Sequence, residues 1–155
     1  MFNLGTVLKR GAGYFTGQTD LLEAIVAGSL GIAAADGQID KEEVDAIRDG
    51  AKGNEFLMKL FNEEDVDRIM NSIIAKLKAN GFAAVTKELQ DIAHYDEDKR
   101  HFVYLNMYKT AKADGTVDDS EKAKLAEYGE VLCITPGDRV AIEKTVDDSS
   151  ITFSF

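Results

Sequence analysis

Three observations predict an all-α fold. A single proline in 155 residues leaves long helices uninterrupted, while 13 glycines punctuate them. Apolar residues recur at three- and four-residue spacing and rarely alternate with polar ones as a strand requires. A 12-residue segment also recurs 78 residues further on, each time between the end of one apolar helix and the start of another. The expected architecture is a single helical bundle of about seven helices, built from two related helix–turn–helix halves.

The elements follow in order. Asp20 is a candidate cap for a helix through LLEAIVAGSLGIAAA, which ends near Asp36-Gly37. Gly28 and Gly31 within it cost about 1 kcal/mol each against alanine, a loss offset if a neighbouring helix packs close. The second helix runs from Lys41 to about Ala51, with Val44, Ile47 and Ala51 at core spacing, and a short apolar piece, EFLMKLF, follows Gly53-Asn54. Asn62 caps the next helix, whose stripe is Val66, Ile69, Met70, Ile73, Ile74 and Leu77, and Asn80-Gly81 ends it. Phe82, Val85, Leu89, Ile92 and Ala93 mark another helix, which stops around His94–Asp96. A long aromatic-rich helix from about Glu97 to Ala113 turns Phe102, Leu105 and Tyr108 inward, with one tyrosine of the group exposed. Its partner spans about Asp119–Cys133, and Thr135-Pro136 opens the last helix, through Val146. Residues 20–146 thus read as the helical domain, residues 1–19 as an N-terminal arm and residues 147–155 as a C-terminal tail. The arm and tail read as loosely ordered or packed on the bundle; the alternative is docking through Phe2, Tyr14, Phe15, Phe153 and Phe155, with residues 1–19 as the one segment that could touch a membrane.

Composition narrows the function. With 28 acidic against 18 basic residues the net charge is −10, the wrong sign for phosphate counterion release on nucleic acid or for an anionic membrane surface. The one cysteine, Cys133, permits no internal disulfide and no Cys/His zinc motif, and its apolar context predicts an inert core thiol. Met1–Leu8 is uncharged and Lys9-Arg10 follows it, the reverse of a secretory leader, so a cytoplasmic protein is expected. His94 and His101 are the only histidines and read as surface or half-buried residues. No phosphate-loop, dinucleotide, HExxH or GxSxG motif is present, and no enzyme is expected.

The repeat carries the most information. IAAADGQIDKEE at 32–43 lies over TAKADGTVDDSE at 110–121, with identity at six of twelve positions. Gly37 and Gly115 suit a left-handed helix end. Asp40 and Asp118 suit N-caps, with Glu43 and Glu121 completing capping boxes and Ile39 and Val117 as buried staples. Only Asp36 and Asp114 escape that explanation. The pattern D-G-x-[IV]-D-x-x-E also matches positions 5, 6, 8, 9 and 12 of an EF-hand loop. Positions 1 and 3 fail, being Ile32 and Ala34 in one copy and Thr110 and Lys112 in the other. Separate calcium loops are therefore not expected. A shared site is: if the pseudo-two-fold joins the turns, Asp36, Asp40, Glu43, Asp114, Asp118 and Glu121 offer six carboxylates to a divalent cation, calcium by preference. Residues 36–49 and 114–130 each hold six acids and two bases, together −8 of the −10, while the first nineteen residues are +2.

The paired A-x-A-D-G-x-[IV]-D-x-x-E turns, one per half, resemble the TerB family of tellurite-resistance proteins over roughly residues 21–146. The resemblance implies a two-half helical bundle and a non-enzymatic role in tellurite and other chemical stress, or in phage resistance. It implies partners that are TerC-like membrane proteins and TerD-like calcium-binding proteins, assembled at the inner face of the membrane. It also implies metal contact at the six acids of the turns. The alternative is a metal-independent helical scaffold in a membrane-associated or phage assembly, held to its partners by an acidic face and aromatic termini.

Overall fold

The computed structural model describes residues 7, 19–113 and 115–148. Eight helices lie among them: α1 (Asp20–Ala33), α2 (Lys41–Lys52), α3 (Glu55–Met58), α4 (Glu63–Asn80), α5 (Phe82–Ile92), α6 (Glu97–Ala111), α7 (Asp119–Val131) and α8 (Pro136–Asp148). No strand occurs among the described residues. The all-α expectation holds, with the apolar piece EFLMKLF supplying the extra, single-turn helix α3.

Helix α1 forms the centre. It carries no charge from Ala24 to Ala33, and it is buried on all sides from Ala24 to Ile32 because α4, α5 and α6 surround it. Its two glycines mark the places where neighbours come closest. A Cβ on Gly28 would lie 2.5 Å from Sδ of Met107 in α6. One on Gly31 would lie 2.7 Å from Oη of Tyr128 in α7 and 3.1 Å from Cγ1 of Val85 in α5. Close packing therefore offsets the helix-propensity cost of both glycines.

The repeat extends from the turns to the helices. Displaced by 78 residues, the end of α1 at Ala33 falls on the end of α6 at Ala111, and the start of α2 at Lys41 falls on the start of α7 at Asp119. The equivalent helices α1 and α6 pack directly on each other, joined by a hydrogen bond from Thr110 Oγ1 to Ser29 Oγ at 3.2 Å.

Several local expectations change. Helix α1 begins after Thr19, whose carbonyl accepts from Glu23 N at 2.8 Å, so Asp20 is not the cap. Asp20 instead accepts a 2.8 Å hydrogen bond from Tyr95 Oη. Burial first, then that bond, pushes the Tyr95 hydroxyl up to about 12. Helix α6 is buried continuously from His101 to Tyr108, because α8 covers the side away from α1. No tyrosine of that helix is exposed, and His101 is a core residue, neither at the surface nor half-buried. Tyr104 donates to Glu143, and Tyr108 donates to Asp147 at 2.9 Å, so two tyrosines one turn apart meet two acids one turn apart on α8.

Helix α8 continues to Asp148, which brings Asp147 into the bundle and not the tail. Thr135 caps it as expected, its Oγ1 accepting from Asp138 N at 3.2 Å. Cys133 is exposed and no core thiol. With φ of 58° it occupies the left-handed position after α7, where Ile134 N closes on Gly129 O at 2.9 Å. Ile39 is 38% exposed and lines an apolar groove with Ile74, Leu77 and Phe82, so it forms no buried staple, whereas Val117 packs against the core. From the arm, Val7 is fully buried in the core. The docking candidates Phe2, Tyr14, Phe15, Phe153 and Phe155 lie outside the described residues.

Tyr128 Oη is buried without a hydrogen-bond partner among the described protein atoms. Gly31→Ala is expected to destabilise the protein by roughly 1 kcal/mol net, overpacking outweighing the gain in helix propensity. Tyr128→Phe removes the nearest clashing atom, so the alanine should cost less in that background. Chemical denaturation of the four chains measures both effects, and a neutral Gly31→Ala in the native background would show that the close approach is not limiting.

Candidate functional site

Each DG-turn is built by helix termination followed by initiation. In the first, Gly37 N bonds Ala34 O at 2.8 Å and Gly37 takes φ of 93°. In the second, Gly115 N bonds Lys112 O at 2.8 Å with φ of 99°. The next helices are then capped by aspartate. Asp40 Oδ1 accepts from Glu43 N at 2.9 Å, and Asp118 Oδ1 accepts from Glu121 N at 2.8 Å. Only the second turn closes the full capping box, with Glu121 Oε1 accepting from Asp118 N at 3.0 Å. The hydrogen bonds that Asp118 accepts, the backbone one first and then that from Ser120 Oγ, hold its carboxyl below the ordinary range.

Asp36 has a role of its own. Its Oδ1 accepts from Gln38 N at 3.0 Å, which tightens the turn. Asp114, its equivalent, lies outside the described residues. The EF-hand comparison fails for a structural reason as well as a chemical one. Ile32 and Thr110, where the first carboxylate of such a loop belongs, are still inside α1 and α6.

The helices beside the two turns line one cavity of about 230 Å³. Glu43 and Ile47 of α2, Glu121 of α7, Lys109 and Thr110 of α6, and Ala33 of α1 line it. The glutamates of the two repeats thus share one space, while Asp36, Asp40 and Asp118 are not among its lining residues. Among the described residues, no three of the turn acids gather within 4.8 Å of one another. Of the six residues, Glu43 and Glu121, one from each repeat, line this cavity, and the described aspartates bond the backbone of the turns.

A family model described as tellurite resistance protein TerB matches residues 22–144. The chain belongs to the TerB family. No curated protein and no solved structure gave a significant match. The match spans both halves of this TerB chain, from α1 into α8. No helix among the described residues is long and apolar enough to cross a membrane.

Lys109 also lines the cavity, and sequence reasoning missed it because its place inside the aromatic helix was its only signal. Burial lowers its pKa to about 8 from an ordinary 10.5. Below about pH 8 the folded protein carries a half-buried ammonium that the unfolded chain would hydrate fully. Between about 8 and 10.5 the unfolded state binds the extra proton, so this penalty fades as pH rises. Lys109→Met should therefore stabilise the protein most at neutral pH, with the advantage shrinking across that window. Thermal unfolding of both chains from about pH 7 to about pH 10.5 measures the difference, and a pH-independent gap would contradict the shift.

Proposed function

We propose that this TerB-family chain is a non-enzymatic stress-response module whose paired acidic turns bind one divalent cation, calcium by preference, and relay that state to protein partners. The observation that carries the reading is the single cavity lined by Glu43 and Glu121, one from each repeat. Both offer hard oxygen donors of the kind calcium takes, with solvent completing the shell. TerC-like and TerD-like proteins are the partners the family resemblance favours, with assembly at the inner face of the membrane.

The scaffold reading is favoured by a different observation: the aspartates at 40 and 118 are already engaged as helix caps. In that reading the acids serve folding alone. Calorimetry separates the two. Calcium should give saturable heat at one ion per chain, weakened more than about tenfold, or about 1.4 kcal/mol, in Glu43→Gln/Glu121→Gln. A flat titration of the native chain up to millimolar calcium would overturn cation binding and leave the scaffold.

A further inference from the structure

Glu97 opens α6, and His101 lies four residues on, so both side chains share one face. Asp138 reaches the same point from the first turn of α8. His101 Nε2 lies 3.7 Å from Glu97 Oε1 and 3.7 Å from Asp138 Oδ2, and one ligand atom from each residue falls within 4.8 Å of the others. Those separations exceed a charge-assisted hydrogen bond of about 2.7–2.9 Å. They are close to the ~3.4 Å expected between two ligands that each sit about 2.1 Å from a tetrahedral ion.

We propose that Glu97, His101 and Asp138 form a site for a first-row divalent transition metal of the zinc class, distinct from the acidic turns. One imidazole and two carboxylates match that class, whereas the turns offer oxygen alone. His101 is 1% exposed, so the packed helices around it fix the orientation of its ring. The neutral ring is the form that ligates metal. The carboxylates keep side-chain exposures of 45% and 24%. Arg100 holds the ligand-bearing elements in register. Its guanidinium donates to the carbonyls of Leu132 and Cys133 at 3.0 and 2.9 Å, just before α8.

Cobalt(II) titration of the full chain tests the site. Visible d–d bands should saturate at one ion per chain and be reversed by zinc. Glu97→Gln/Asp138→Asn should weaken cobalt more than about tenfold, the scale on which even outer-shell changes weaken metal sites. Zinc should also shift the His101 ring resonances in nuclear magnetic resonance, a readout that survives if the double variant folds poorly. Absent cobalt bands, an unmoved His101 ring, or native affinity in the folded double variant would each overturn the proposal.

Discussion

The closeness of α1 to α5, α6 and α7 is the constraint on which the rest of the structure depends. Two glycines on a chargeless stretch of helix let Met107, Tyr128 and Val85 come within contact of its backbone. A bundle of this size depends on apolar burial for its stability, and interiors tolerate little added volume. Because α1 and α6 are equivalent helices of the two repeats, their contact also relates the two halves. The helices that follow the two turns, α2 and α7, then bring Glu43 and Glu121 to one cavity.

That placement gives the net charge of −10 a structural meaning. The acids cluster at helix starts, where exposed N–H groups and the helix dipole favour them. Asp40 and Asp118 are absorbed by that role, and Glu121 is divided between the capping box and the cavity. Lys109 brings a positive charge into the same space, easily lost because burial opposes it.

Most of the fold is legible in the sequence because helix ends leave local signals. Gly37, Gly81 and Gly115 all adopt positive φ at the expected helix ends, and Asn62 caps α4 as expected. What stays hidden is tertiary. The burial of α6 on two sides depends on α8, the position of Ile39 depends on the α4–α5 corner, and the exposure of Cys133 depends on a left-handed residue after α7. The turn glutamates are legible from the repeat. Lys109 and the meeting of His101 with Asp138 depend on packing between elements that no local spacing connects.

The central claim is that the two turns act as one site. Backbone amide spectra recorded during a calcium titration test it most directly. The amides of Glu43 and Glu121 should shift together along one binding curve that saturates at one ion per chain. Two independent curves, or no shift at either turn, would contradict it.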